Sequence, residues 1–221
     1  MHWKKKLLKN TRLYLILDAQ VNSYEQLFEI AKQSIKSGVD IVQLRDKFGT
    51  VKDGLNFSKR MTEITQGRVP FIINDRVDLT FECGANGVHL GQDDISIASA
   101  RKMLGPQAII GSSCQTFEQA QKAQKDGADY IGFGSVFKTL TKPQRSPMDL
   151  NLLKRVAGEI QIPVFAIGGI TLENIAEIQV LGINRFAVCR AICQARNVEE
   201  TTQAFKDKVD CEGHLAPLFN S

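Results

Sequence analysis

The chain has 221 residues, a formal net charge of +4 at pH 7, 43% hydrophobic residues and 24% charged residues. These are ordinary values for a soluble globular protein, and one hydrophobic core can hold a chain of this length. The positive charge is dispersed except at Lys4-Lys5-Lys6, which we interpret as part of a solvated N-terminal arm. We therefore expect no nucleic-acid-binding surface.

Membrane and disulfide-rich classes are also disfavoured. No apolar run approaches the ~20 residues that span a bilayer, and the run at 13–17 is too short for a signal peptide, so we expect no membrane partner. The five cysteines include no Cys-x-x-Cys pair, which argues against a disulfide framework and a zinc site. We predict buried, reduced cysteines in a cytoplasmic protein. Composition leaves the oligomeric state open, a homo-oligomer included.

Short apolar runs rich in β-branched residues alternate with longer segments that repeat apolar residues every three or four positions. The short runs predict β-strands, and the longer segments predict helices that pack one face against a sheet. The predicted strands are 13–17, 41–44, 71–73, 87–90, 109–111, 130–133, 164–167 and 185–188. The predicted helices include 23–37, 51–65, 95–104, 116–126, 150–157 and 172–180.

The predicted fold class is α/β. The strands are of the fully buried type that parallel sheets require, and Thr116 (with Gln119 in a capping box) and Thr171 are predicted helix N-caps. Eight βα units in one short chain predict a single-domain (β/α)₈ TIM barrel over residues 1–221, with an N-terminal arm at 1–12 and a C-terminal tail at 210–221. An open doubly wound sheet is the alternative, but it would gather its polar residues at one switch point. Polar clusters here follow nearly every predicted strand, which favours the barrel.

In a barrel, the groups that follow the strands converge on one mouth. After the second predicted strand, Gln43, Arg45 and Lys47 share one face of an extended segment. A guanidinium and an ammonium beside an amide suit a polyphosphate, although solvated charges at a strand end would have the same pattern.

Two aspartates follow neighbouring predicted strands, Asp75 after the third and Asp94 after the fourth. Carboxylates brought together in this way, completed by water and substrate phosphate oxygens, are typical ligands of Mg²⁺. For Asp94, a helix N-cap is the alternative. Asn74 can hydrogen-bond a polar heterocycle, and we interpret His89 as a structural or oriented polar residue because no second histidine lies near it in the sequence.

Hydroxyl groups and glycines follow the later strands. Ser113 follows the fifth, and the segment Thr139-Leu140-Thr141-Lys142 follows the sixth as an anion clamp. Gly168-Gly169, after the seventh, permits close approach to a ligand and opens a predicted helix whose N–H groups would bind phosphate. Gly168-Gly169 and Cys189-Arg190, which follows the eighth strand, together predict a monophosphate site. This site is separate from the predicted polyphosphate site near Arg45 and Lys47, as in a transferase with two phosphorylated substrates.

Five motifs in chain order resemble the thiamin-phosphate synthase family, and the similarity runs from about residue 13 to about residue 209. The motifs are Gln43-Leu44-Arg45-Asp46-Lys47, Ile73-Asn74-Asp75-Arg76-Val77-Asp78, Gly87-Val88-His89-Leu90-Gly91-Gln92-Asp93-Asp94, Thr139-Leu140-Thr141-Lys142 and Ala166-Ile167-Gly168-Gly169-Ile170.

The resemblance implies a Mg²⁺-dependent condensation of two small-molecule substrates, hydroxymethylpyrimidine diphosphate and hydroxyethylthiazole phosphate, to thiamin phosphate and pyrophosphate. It implies that the diphosphate substrate is bound by Gln43, Arg45, Lys47, Asn74 and Lys142, with Ser113 beside the pyrimidine. It puts Mg²⁺ at Asp75 and Asp94, and the thiazole phosphate at Thr139, Thr141, Gly169, Cys189 and Arg190. The catalytic residues among these would be Arg45, Lys47, Lys142 and Ser113.

Three residues depart from the family pattern. Ser135 and Lys138 replace common prolines, and Arg190 stands where a serine is usual. Two other functions stay open at this point. A thiazole tautomerase of the same superfamily needs an acid–base group near the ring, and the segment after Gly111 contains no histidine. A non-catalytic phosphate-ligand-binding barrel would not need two metal carboxylates.

Overall fold

The computed structural model describes residues 2–140 and 146–210. Eight parallel strands form a closed barrel in chain order, with the last strand hydrogen-bonded to the first. The predicted barrel is therefore confirmed, with all eight predicted strands present. They are β1 Leu13–Asp18, β2 Ile41–Arg45, β3 Phe71–Asn74, β4 Gly87–Leu90, β5 Ile109–Cys114, β6 Tyr130–Phe133, β7 Val164–Ile167 and β8 Phe186–Val188.

Helices cover the outside of the barrel, and none of those in the described ranges is long and apolar enough to cross a bilayer. They are α1 His2–Asn10, α2 Tyr24–Lys36, α3 Val51–Thr65, α4 Val77–Cys83, α5 Ile97–Leu104, α6 Phe117–Lys125, α7 Leu150–Glu159, α8 Ile175–Gln179, α9 Arg190–Cys193 and α10 Val198–Asp210. The predicted segments did not include α1, α4, α9 or α10.

Successive strand residues face opposite sides of the barrel wall, as the two-residue period of a strand requires. Tyr14, Tyr130 and Phe165 belong to a cluster that fills the barrel interior. Leu13 and Leu15 alternate with Tyr14 along β1 and pack instead in the larger core that contains the helix residues. The interior is thus packed by side chains, and open space is left at the ends of the strands.

The N-terminal segment differs from the predicted solvated arm. Residues 2–10 form α1, and Leu8, only 2% exposed, joins the cluster inside the barrel. Lys4 is buried because its ammonium donates to the Ala108 carbonyl oxygen at 2.9 Å and pairs with Asp129 at 3.1 Å. The interpretation of Lys4 as a solvated charge is therefore wrong.

The two predicted N-caps have different outcomes. Thr116 caps α6 in the predicted capping box with Gln119. Thr171 does not cap a helix, because α8 begins only at Ile175 with Asn174 at its N-cap. The side-chain carbonyl of Asn174 instead accepts from the Thr171 N–H at 2.8 Å, while its amide donates to the Gly169 carbonyl oxygen at 2.8 Å. These bonds hold the segment after β7 as a turn rather than as the first turn of a helix.

Candidate active site

A cavity of about 440 Å³ opens at the C-terminal ends of the strands. It brings together predicted site residues from six strands or the loops that follow them: Gln43, Arg45, Asn74, Ser113, Thr139, Gly169, Cys189 and Arg190. A smaller cavity of about 140 Å³ adjoins it at Asn74 and is lined by Lys47 and Asp75. The predicted residues Thr141 and Lys142 lie outside the described residues.

Arg45, the last residue of β2, is held by a residue that the sequence reasoning missed. Its Nη1 donates to Asp18 Oδ2 at 2.8 Å and to Gln20 Oε1 at 2.8 Å. Asp18 ends β1 directly opposite Arg45 in the strand register and is 1% exposed. The sequence does contain a signal for Asp18, because this residue is the one charged position at the end of an otherwise apolar strand. This buried carboxylate fixes the guanidinium at the mouth of the barrel.

Lys47, Asp75 and Asp94 form a compact charged cluster beside Asn74. The Lys47 ammonium contacts the Asp75 carboxylate. Asp75 has a left-handed backbone with φ of 63°, and its N–H donates to the His89 carbonyl oxygen at 2.8 Å. Burial, followed by a hydrogen bond with the Asp94 carboxyl, raises the pKa of Asp75 above its ordinary value, although Lys47 opposes the rise.

Asp94 is not a helix N-cap, which was the alternative interpretation of this residue. Ser96 is the N-cap of α5, and its hydroxyl accepts from the Ser99 N–H. The Asp94 carboxylate instead accepts from the Gly91 N–H at 2.6 Å, which holds it within hydrogen-bond reach of Asp75. The N-cap interpretation of Asp94 is wrong.

The paired carboxylates fit a divalent cation. Their contact raises the pKa of Asp75, so positive charge between them would remove an unfavourable interaction. No group of three or more metal-ligating side chains occurs in the ranges 2–140 and 146–210. A cation held by Asp75 and Asp94 would take its remaining ligands from water and substrate oxygens, which is the usual mode for Mg²⁺.

A continuous hydrogen-bonded chain of five side chains crosses the barrel interior to the cavity. Gln43 Nε2 donates to the Tyr14 hydroxyl at 3.4 Å, and that hydroxyl lies 2.7 Å from the Tyr130 hydroxyl. The Tyr130 hydroxyl lies 3.0 Å from His89 Nδ1, and His89 Nε2 lies 2.8 Å from Ser113 Oγ. The segment that follows Gly111 contains no histidine of its own, but the fold places His89 of β4 in contact with Ser113 of that segment.

Burial raises the pKa values of Tyr14 and Tyr130 well above the usual range of a phenol. Both tyrosines are therefore neutral hydrogen-bonding groups at physiological pH. His89 has Tyr130 on one ring nitrogen and Ser113 on the other and is 7% exposed.

The opposite wall of the cavity is shaped by glycine backbone. Gly168 and Gly169 have φ of 106° and 67°. A Cβ on Gly169 would lie 2.4 Å from the Lys138 carbonyl oxygen, so the segment after β7 packs directly against the loop after β6. Gly168 and Gly169 both line the cavity, and backbone without side chains lets a phosphate approach closely.

The three departures from the family pattern all lie at the cavity. Ser135 donates to the Phe137 carbonyl oxygen at 3.0 Å, and Lys138 adds a lysine to the lining. Arg190 begins α9, directly after Cys189, and its Nη1 lies 3.3 Å from Gln194 Oε1. Arg190, Gln194 and Gly169 all line the cavity.

Comparison with known proteins agrees with this geometry. The profile of the thiamine monophosphate synthase family matches residues 13–192. Thiamine-phosphate synthase 2 of Streptococcus pneumoniae is 40% identical over 199 residues, which cover 90% of this chain and 95% of the relative. Thiamine-phosphate synthase of Clostridioides difficile is 36% identical over 207 residues, which cover 93% of this chain and 99% of the relative.

Solved structures extend the similarity. The thiamine phosphate pyrophosphorylase structure from Pyrococcus furiosus superposes with a TM-score of 0.81 at 31% identity and covers 93% of this chain and 96% of its own. A 3-hexulose-6-phosphate synthase, at 18% identity and a TM-score of 0.68 over 89% of this chain and 99% of its own, shares the fold. From the family profile and the relatives together, the chain belongs to the thiamine monophosphate synthase family.

Proposed function

We propose that the chain is a thiamin-phosphate synthase, which joins hydroxymethylpyrimidine diphosphate to hydroxyethylthiazole phosphate and releases pyrophosphate. One observation carries the proposal: a single mouth contains a cationic and carboxylate cluster on one side and a glycine-lined wall on the other. The cluster of Lys47, Asp75 and Asp94 suits a metal diphosphate, and the wall at Gly169 suits a monophosphate.

The reaction needs charge neutralisation and alignment rather than a protein nucleophile. The bond between the pyrimidine methylene carbon and the diphosphate oxygen breaks with both electrons leaving on the diphosphate. The electron-rich aminopyrimidine stabilises the resulting cation, and the lone pair of the thiazole nitrogen then forms the new C–N bond. Arg45 and Lys47 stabilise the departing charge, and Lys142 is proposed to join them.

Mg²⁺ bound at Asp75 and Asp94 would supply further positive charge to the diphosphate oxygens. Asn74 lies between the two cavities and would bind the substrate where its ring meets its diphosphate. Ser113 would contact the pyrimidine ring. Thr139, Thr141, Gly169, Cys189 and Arg190 are proposed to surround the thiazole phosphate. We also infer a cytoplasmic location and one domain over residues 1–221.

The test is pyrophosphate release with both substrates present and Mg²⁺ either added or chelated. Release should require both heterocycles and the metal. Asp75→Asn keeps a residue that tolerates the left-handed backbone and should lower the rate at saturating Mg²⁺ by about 10²-fold or more.

The matched control is Asp78→Asn, because Asp78 is an exposed carboxylate that pairs with Arg76 at 2.5 Å on the neighbouring helix. It should leave the rate within about twofold of the wild type. Full activity of Asp75→Asn would remove the metal assignment. Absence of release from folded wild-type protein would remove the proposed function.

A further inference from the structure

The buried chain Gln43–Tyr14–Tyr130–His89–Ser113 has a direction, because each member has a limited number of hydrogens. A neutral phenol carries one hydroxyl hydrogen. Gln43 Nε2 donates to the Tyr14 oxygen, so that contact does not take the Tyr14 hydrogen. Within the described residues, the acceptor in contact with the Tyr14 hydroxyl is the Tyr130 oxygen at 2.7 Å. Tyr14 therefore donates to Tyr130.

The direction continues through the histidine. Tyr130 accepts from Tyr14, so its own hydrogen is directed to His89 Nδ1 at 3.0 Å. A neutral imidazole that accepts at Nδ1 carries its hydrogen on Nε2. The Nε2–H then donates to Ser113 Oγ at 2.8 Å. Tyr14 and Tyr130 are 2% and 0% exposed, so bulk water does not compete for these bonds.

The last member of the chain faces the cavity. Ser113 accepts from His89 through an oxygen lone pair, which leaves its own hydroxyl hydrogen to point elsewhere. All five side chains line the cavity, but the other four are at most 7% exposed and Ser113 alone is half-buried. The hydroxyl therefore presents a hydrogen-bond donor to whatever occupies that part of the cavity.

We infer that Tyr14, Tyr130 and His89 are positioning residues that hold Ser113 as a hydrogen-bond donor to a ring nitrogen of the pyrimidine substrate. The inference rests on the proposed function for the identity of the ring. The site therefore selects a heterocycle that places an acceptor nitrogen next to the Ser113 hydroxyl. A substrate analogue with C–H in place of that nitrogen leaves the Ser113 donor without a partner and binds less tightly.

The histidine tautomer tests the direction of the chain without any substrate. The chain has three histidines, so the ¹⁵N resonances of His89 are assigned by comparison with His89→Gln. In the free wild-type protein, Nε2 should carry the hydrogen and Nδ1 should not. Tyr130→Phe removes the donor to Nδ1 and should shift the tautomer toward Nδ1–H. A wild-type His89 protonated at Nδ1, or a tautomer that does not respond to Tyr130→Phe, would overturn the inference.

Kinetics separate positioning from general support of the fold. Tyr130→Phe should lower kcat/KM for the pyrimidine diphosphate about tenfold, the size expected for one misdirected hydrogen bond, and leave the KM of the thiazole phosphate unchanged. Tyr14→Phe should cost less, because Tyr130 still donates to His89. In a Ser113→Ala background, Tyr130→Phe should change kcat/KM by no more than about twofold, because its effect passes through Ser113.

A Tyr130→Phe penalty that is equally large with and without Ser113 would contradict the inference. Wild-type pyrophosphate release tests the proposed function separately. If the wild type lacks the activity while His89 has the expected tautomer, the ring assignment fails with the proposed function and the donor role of Ser113 stands.

Discussion

The ion pair between Asp18 and Arg45 predicts a defect in both stability and substrate binding when its charge is removed. Asp18→Asn keeps the size of the side chain and one acceptor oxygen but removes the negative charge opposite Arg45. Because Asp18 is 1% exposed, the wild-type pair is shielded from water on its carboxylate side. In the wild type the other carboxylate oxygen accepts from the Gln20 N–H at 3.0 Å, so the single oxygen of the variant can serve only one of the two donors, and the other donor faces the amide NH2 group.

The size of the effect follows from the burial of the two partners. Breaking a fully buried ion pair costs about 3–5 kcal/mol. The Arg45 side chain is 13% exposed and lines the cavity, where water can solvate it. We therefore expect a smaller loss of about 2 kcal/mol, typical of a hydrogen bond to a charged group. For a chain of this length, that corresponds to a fall in Tm of about 4–8 °C.

The assay combines thermal unfolding with steady-state kinetics for each substrate. Loss of the Asp18 charge weakens the hold on the Arg45 side chain, so the KM of the pyrimidine diphosphate should rise about tenfold while the KM of the thiazole phosphate stays constant. Gln20→Ala, which removes the second Arg45 partner, is the control and should cost at most about 1 kcal/mol. An unchanged Tm, or an equal rise of both KM values, would refute the proposed role of Asp18.

Three further predictions concern other parts of the chain. Lys4→Met should lower the free energy of unfolding by about 1–2 kcal/mol in urea titrations and leave kcat/KM unchanged, because its ion pair with Asp129 lies far from the cavity. Gly169→Ala should raise the KM of the thiazole phosphate about tenfold. The control is Gly67→Ala, because Gly67 has a similar φ of 70° and nothing lies within 4 Å of the added Cβ; it should lower only the stability, by about 1 kcal/mol. Equal kinetics of the two variants would contradict the assignment of Gly169 to the phosphate site. The raised pKa of Asp75 means that the folded, metal-free protein binds a proton there more tightly than the unfolded chain, so the stability that this group contributes is lost as pH rises from the ordinary aspartate pKa through the raised one. In EDTA, the Tm of the wild type relative to that of Asp75→Asn should therefore fall over this pH range.

Much of the candidate site could be located from chain order. Gln43, Asn74, Ser113 and Gly169 lie near the C-terminal ends of predicted strands or just after them, and a parallel barrel brings all such positions to one mouth. Chain order was a poor guide where a side chain bonds across strands. His89 was correctly interpreted as an oriented polar residue, but its contact with Ser113 was not expected, since the two are 24 residues apart.

The sequence by itself determined the barrel, because strand and helix periodicity are local properties that eight repeated units express consistently. It also determined which residue types reach the mouth. The tertiary structure decided which charges are buried and which groups they contact. Lys4 pairs with Asp129 over a separation of 125 residues, Arg45 with Asp18 over 27, and His89 with Tyr130 over 41. No local pattern encodes such pairs, because only the assembled barrel brings these residues within hydrogen-bond distance and removes the water that would otherwise solvate them.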